Sequence, residues 1–277
     1  MDTFVRVTPY TGRIRAVILD WAGTAVDYGS FAPTTVFVRL FEKHGVQITE
    51  RDARSGMGLM KKDHLKTLFS IPSVIQAWKS ANGAPATEAD VETLYQEFVP
   101  QQLAVLKDYS RPIPGLMETM KYIKERGMKV GSTTGYIRSM MDVLAPEAAR
   151  HGYRPDLIVC PDEVPAGRPY PWMCFQNAIQ LGVYPMEALV KVGDSLPDVE
   201  EGLNAGMWTV GLTLTGNMLG MHKKEVDALS IKERRDTSER IAGQFYQAGA
   251  HFVADGIWDL PLVLEEIQSR LAQGDRP

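Results

Sequence analysis

Cysteine is scarce in this chain. Cys160 and Cys174 are the only two in 277 residues. Two cysteines make no disulfide framework and suit a reducing, cytoplasmic setting. Any metal site is therefore expected to rest on oxygen ligands or histidines. Long apolar runs are absent as well. No stretch approaches the ~20 apolar residues needed to cross a bilayer, so no membrane partner is expected. Residues 1–15 carry Thr, Arg, Pro and Gly but no apolar signal core, and no secretion signal is read there. Neither sign of charge dominates. Lys plus Arg number 30 against 34 Asp plus Glu, a net charge of -4. A chain so balanced has no overall attraction for nucleic acid or anionic lipid. Internal repeats and low-complexity linkers are missing too. What is present is ordinary: 44% hydrophobic and 23% charged residues, as in a globular protein with a core of its own. The length suffices for one large domain or two modest ones.

Four short apolar runs read as buried parallel strands, at residues 15–20, 128–134, 156–160 and 189–194. A fifth at 207–212 and a sixth at 251–254 follow. Helical patterns lie between them, at 114–126, 171–181 and 198–205. In the first, Leu116, Met120 and Ile123 share one stripe and Gly127 offers a stop. Strands alternating with helices predict an α/β fold, a Rossmann-like parallel sheet flanked by helices. One interval breaks the rhythm. Residues 28–108 hold no convincing strand, only helical patterns at 33–44, 59–70, 74–81 and 87–106. The simplest reading is a helical cap domain inserted after the first strand, at 29–107, over a discontinuous core of 1–28 and 108–277. A helical layer of one domain is the alternative. Residues 213–250 read as polar and helical without chemistry, and 272–277 as a frayed tail.

Ligands of open parallel sheets bind at the carboxyl ends of strands. Two strands here end in aspartate: Asp20 after Ala16-Val17-Ile18-Leu19, and Asp194 after Val190-Lys191-Val192-Gly193. Asp198 lies four residues beyond Asp194, at the expected start of a helix. Three carboxylates at one edge repel one another and call for a cation, and hard oxygen ligands favour Mg²⁺. Taken singly, Asp198 reads equally well as a helix N-cap and Asp20 as a turn residue.

The order of short motifs narrows this. Asp20-Trp21-Ala22-Gly23-Thr24, then Ser132-Thr133-Thr134-Gly135, then Arg168, then Gly193-Asp194-Ser195-Leu196-Pro197-Asp198 resembles the four motifs of the haloacid dehalogenase superfamily. The resemblance implies that Asp20 is a nucleophile forming an aspartyl phosphate. It implies that Thr134 and Arg168 hold phosphate oxygens, and that Asp194 with Asp198 serves Mg²⁺. The residue types suit these tasks. A carboxylate is already ionised at neutral pH. Its repulsion by a phosphoryl group is offset by a cation and a guanidinium. Arg168 on its own reads as a surface charge. Its loop, Pro165-Ala166-Gly167-Arg168-Pro169-Tyr170-Pro171, is stiffened by three prolines, which favours a presented side chain.

Phosphatases of the superfamily place a second Asp two residues after the nucleophile, to protonate the leaving alcohol. Ala22 stands there instead. General acid catalysis is typically worth ~10²–10⁴-fold, so an ordinary ester hydrolase would be crippled. A leaving group that departs as a carbanion avoids the problem if an electron sink receives its electrons. An aldehyde converted to a protonated imine by a lysine is such a sink. In Gly56-Met57-Gly58-Leu59-Met60-Lys61-Lys62-Asp63-His64, read as a helix continuing to Leu65, Leu68 and Phe69, Lys61 lies nearer the apolar face than Lys62. A desolvated lysine sheds its proton more easily, and Lys62 beside it is expected to help. From periodicity alone, two solvated lysines on an ordinary helix are the favoured reading.

Longer matches favour the imine. Asp20-Trp21-Ala22-Gly23-Thr24 with Val26-Asp27-Tyr28-Gly29, Met57 to His64, Gly131 to Tyr136, and Val164 to Met173 together resemble the phosphonoacetaldehyde hydrolase family of that superfamily. The resemblance implies a homodimeric, Mg²⁺-dependent, cytoplasmic enzyme acting on a small phosphonate in 2-aminoethylphosphonate breakdown. By the same resemblance Lys61 forms the Schiff base and His64 assists proton transfers. Met57, Tyr136 and Gly135 line the site with Thr134. Asp20, Asp194 and the Ala22 backbone carbonyl ligate the metal. Ser30 stands where relatives can carry Cys. A capped Mg²⁺-dependent phosphatase or phosphomutase is the nearest alternative.

Overall fold

The computed structural model describes residues 9–277. Residues 1–8, part of the segment read as lacking a signal core and of the predicted core, lie outside the described residues. Six parallel strands form one sheet: β1 (Ala16–Leu19), β2 (Lys129–Thr133), β3 (Leu157–Val159), β4 (Leu189–Gly193), β5 (Trp208–Leu212) and β6 (Phe252–Ala254). Their order across the sheet is β3-β2-β1-β4-β5-β6. Every residue of β1, β4 and β5 is buried. Helices cover both faces of such a sheet, so its strands appear as continuous apolar runs rather than alternating ones. The order reverses between β1 and β4, which pair directly through Leu19↔Val192. A crevice therefore opens at the carboxyl ends of those two strands, where Asp20 and Asp194 follow.

Between β1 and β2 come α1 (Phe31–Lys43), α2 (Glu50–Arg54), α3 (Lys61–Leu68), α4 (Pro72–Asn82) and α5 (Glu88–Val105), with no strand among the described residues. Four match the expected helical segments. The short α2 was not expected: five residues show no periodicity, and its start is set by a capping box between Thr49 and Asp52. Phe37 of α1 stacks on Phe98 of α5 at 4.4 Å and tilts against His64 of α3 at 4.1 Å. One cluster of buried apolar side chains runs from Val17 and Leu19 in the sheet to Phe37, Leu65 and Phe98 in these helices.

The remaining helices are α6 (Leu116–Glu125), α7 (Arg138–Arg150), α8 (Trp172–Leu181), α9 (Leu196–Asn204), α10 (Lys223–Ala228), α11 (Ile231–Gln247) and α12 (Leu260–Gln273). Two expectations need correction. Residues 213–222 form a loop rather than part of a helical stretch, and it packs against the chain leaving β1. There Gly29 N donates to Thr215 O at 2.7 Å and Thr215 Oγ1 to Gly23 O at 2.7 Å. The tail is helical through Gln273, because Leu271 is buried and anchors the last turn of α12. Gly274, at φ 87°, then ends the helix.

Phe98 is fully buried where α1, α3 and α5 converge. Phe98→Ala is expected to lower unfolding stability by about 3–5 kcal/mol, the usual cost of deleting a buried aromatic ring. Urea denaturation checks this, and a loss under ~1 kcal/mol would contradict it.

Candidate active site

The crevice gathers the three predicted aspartates. Asp20, Asp194 and Asp198 are all buried, and one carboxylate oxygen from each lies within 4.8 Å of the others. Asp20 prolongs β1, its N–H donating to Val192 O at 3.0 Å. Asp194 prolongs β4 and accepts from Asn217 N at 2.6 Å. Asp198 sits in the first turn of α9, where Ser195 Oγ donates to its Oδ2. Glycine makes room for this crowding. A side chain at Gly23 or Gly216 would overlap Asp194, and one at Gly193 would overlap Asp198. Burial and the neighbouring carboxylates push the Asp20 and Asp194 carboxyls above the ordinary range.

Two buried cations oppose them. Arg168 reaches Asp20 Oδ1 with Nη2 at 2.8 Å, Asp198 Oδ1 with Nη1 at 3.0 Å and Glu201 Oε2 with Nε at 2.9 Å. The same Nη2 donates to Thr133 Oγ1 at 2.8 Å. Lys191 of β4 donates to Asp198 Oδ1 at 2.6 Å and lies 3.4 Å from Glu201 Oε2. With Lys61 of the facing wall counted, four carboxylates stand against three cations, an excess of one buried negative charge. A hard divalent cation bound by oxygen suits both that deficit and the donor atoms. Lys191, Glu201, Thr133 and Asn217 escaped the sequence analysis. A lysine inside the apolar run Val190-Lys191-Val192 was a usable signal. Glu201 shares the inner face of α9 with Asp198, three residues on, a relation that needs the helix to be placed first.

The helical segment supplies the other wall. Lys61 is the first residue of α3 and only 3% exposed. Its Nζ lies 5.1 Å from the centre of the Tyr136 ring. Burial lowers its pKa from 10.5 to about 8, against the opposing pull of Asp20. Lys62 does not contribute as expected. It turns outward, bonding Glu92 Oε2 at 2.5 Å, and the cation that disfavours the charged form of Lys61 is Arg168. His64 lies one turn on, fully buried against Phe37. Its Nε2 donates to Ala53 O at 2.9 Å, and burial keeps the ring neutral. It stands behind Lys61 rather than in the cavity wall.

One cavity is lined by Asp20, Ala22, Met57, Lys61, Thr134, Gly135, Tyr136, Arg168 and Asp194, together with Ser30, Pro33 and Gly58. Thr134 Oγ1 accepts from Tyr136 N at 3.1 Å, which holds the loop after β2. The two walls meet through backbone. Arg168 Nη1 donates to Gly58 O at 3.3 Å. A Cβ on Gly135 would sit 2.6 Å from Leu59 O, and one on Gly58, at φ +92°, would overlap Ser195 Oγ. An amine, a carboxylate and a guanidinium thus face one small space.

A strand-end aspartate, an arginine and a carboxylate set at the switch point of a parallel sheet define a class. Residues 14–206 match the family model described as haloacid dehalogenase-like hydrolase, and the chain belongs to that family. Within it, the chain is 46% identical over 277 residues, all of both chains, to a protein of Syntrophobacter fumaroxidans named phosphonoacetaldehyde hydrolase. It is 48% identical over 258 residues to one of that name from Bacillus cereus, covering 93% of this chain and 98% of the relative. A crystal structure of a phosphonoacetaldehyde hydrolase-like protein from Oleispira antarctica superposes with a TM-score of 0.95 at 37% identity, over the whole of both chains.

The lowered pKa of Lys61 has a direct consequence. Below about pH 8 the amine is protonated and not nucleophilic; above it, free amine dominates. In protein labelled with ¹³C-lysine, the Lys61 ε-carbon shift is expected to titrate near pH 8. A midpoint at the ordinary 10.5 would contradict the burial argument.

Proposed function

We propose that the chain hydrolyses the carbon–phosphorus bond of phosphonoacetaldehyde, giving acetaldehyde and phosphate. The observation that carries this is the joint presence of Lys61 and Asp20 in one cavity where position 22 offers only a methyl group. A phosphate ester needs an acid at its leaving oxygen, whereas an imine-activated phosphonate does not. The names of relatives alike over the full chain support the same substrate.

The reaction proceeds as follows. Lys61 passes its ammonium proton toward the aldehyde oxygen as Nζ adds to the aldehyde carbon, and water leaves with that oxygen and two of the three Nζ protons, giving an imine that keeps the third. An Asp20 carboxylate oxygen attacks phosphorus. The phosphorus–carbon bond breaks, and its electron pair moves through the carbon framework to the imine nitrogen, leaving a neutral enamine on Lys61. Arg168, held by Glu201 and Asp198, faces the charge that develops on the phosphoryl oxygens, with Thr134 as a further donor. Water hydrolyses the aspartyl phosphate, releasing phosphate and restoring Asp20. The enamine is protonated at carbon, and the resulting imine takes up water to release acetaldehyde and free Lys61. His64 assists the proton transfers at Lys61, while Met57 and Tyr136 shape the space around the aldehyde.

Asp20, Asp194 and the Ala22 carbonyl would hold Mg²⁺, with Asp198 in support. Bound there, the ion supplies positive charge against the phosphoryl group. Residues 29–107 act as a cap whose docking excludes water from the reacting atoms. The enzyme works as a cytoplasmic homodimer in 2-aminoethylphosphonate breakdown.

Borohydride added with phosphonoacetaldehyde is expected to leave a reduced adduct on Lys61, located by mass spectrometry. Lys61→Arg and Asp20→Ala should each lower phosphate release on the order of 10³-fold or more. Full turnover in Lys61→Arg would remove the imine step, and full turnover in Asp20→Ala the nucleophile. Phosphate release without any trapped adduct would favour an ordinary phosphatase.

A further inference from the structure

Arg54, the last residue of α2, has no side-chain atom in the cavity lining, yet it crosses from the cap to the core. Its Nη1 donates to Gly29 O at 2.7 Å, where the chain enters the cap, and to Asn217 Oδ1 at 3.3 Å. Asn217 returns a bond from Nδ2 to Arg54 O at 3.2 Å. The backbone N–H of the same Asn217 holds Asp194 Oδ2 at 2.6 Å. The guanidinium also lies 4.7 Å from the centre of the Phe31 ring, which stacks on His222 at the end of the 213–222 loop.

The loop is built to be gripped on both sides. A Cβ on Gly216 would overlap Asp194, and a Cβ on Gly220, at φ +66°, would come within 2.7 Å of Arg54 Nε. Only a loop bare at both places fits between the cap arginine and the carboxylate. The side chain of Asn217 reads the cap while its own N–H reads the aspartate.

We infer that Arg54 and Asn217 are positioning residues that couple docking of the cap to the orientation of Asp194, and so to binding of the divalent cation. This rests on the reading of Asp194 as a cation ligand. A docked cap fixes Asn217 through Arg54, and the fixed N–H holds the Asp194 carboxylate in its binding orientation. By reciprocity of linked equilibria, cation binding at Asp194 must tighten the cap to the same degree. Metal would thus favour closure before substrate chemistry begins.

The test is calorimetric titration of the full chain with Mg²⁺, without substrate. Asn217→Ala keeps the N–H on Asp194 but removes both bonds to Arg54. It is expected to weaken Mg²⁺ binding about fivefold, as is Arg54→Ala, the range for loss of one net hydrogen bond. The double variant should be no weaker than Asn217→Ala, which already removes both bonds between the two residues. Hydrogen exchange of amides 50–58 should slow on adding Mg²⁺ in the wild type and stay insensitive to it in both variants. Folded variants that bind Mg²⁺ within twofold of wild type, or a double variant near the product of the two single losses, would overturn the coupling. If Arg54→Ala fails to fold, Asn217→Ala decides alone. Wild-type protein that binds no Mg²⁺ would overturn the reading of Asp194 itself, a result distinct from loss of coupling.

Discussion

Charge crowded at the reversal of the sheet governs this molecule. Four buried carboxylates and two buried cations share the ends of β1 and β4 and the first turns of α9. Buried charges are tolerable only when paired and hydrogen-bonded, and here Arg168, Lys191, Asp198 and Glu201 each bond more than one other. Arg168 alone reaches Asp20, Asp198, Glu201 and Thr133. Such a lattice fixes where each oxygen points. The negative excess that remains gives the site a reason to recruit a cation.

The opposite wall obeys a different logic. Lys61 gains no carboxylate hydrogen bond among the described residues; it is simply buried beside an aromatic ring, and burial weakens its hold on a proton. Lys191, equally buried, is clasped by Asp198 and Glu201 and stays charged. Two lysines within one small region are therefore driven to opposite roles, one a fixed cation and one an amine able to react. The difference lies in their partners, not in their burial.

Glycine carries the contact between the walls. Gly58 and Gly135 let residues 58–59 lie directly against the loops after β2 and β4, while Gly216 and Gly220 let a loop fit between Arg54 and Asp194. A single added carbon at Gly135 would lie 2.6 Å from Leu59 O.

Local patterns were enough for the six strands and for four of the five helices after β1, whereas Asp20, Asp194, Asp198, Arg168 and Lys61 stood out through the order of motifs and the family resemblance they carry. These are signals of period, run length and motif order, and each lies within a short window of chain. The helix α2 is too short to show a period, and Pro146 within α7 masks its helical pattern. Lys62 looked like a partner for Lys61 because adjacency in sequence says nothing about which way a side chain turns; the helix sends it out to Glu92. Lys191, Glu201 and Asn217 belong to the site only because β4, α9 and the loop after β5 converge there. Sequence by itself determined which groups could do chemistry, since residue type sets charge and nucleophilicity. Tertiary structure alone decided which were buried, which were paired and which faced one cavity, because burial and pairing arise between segments that are distant along the chain.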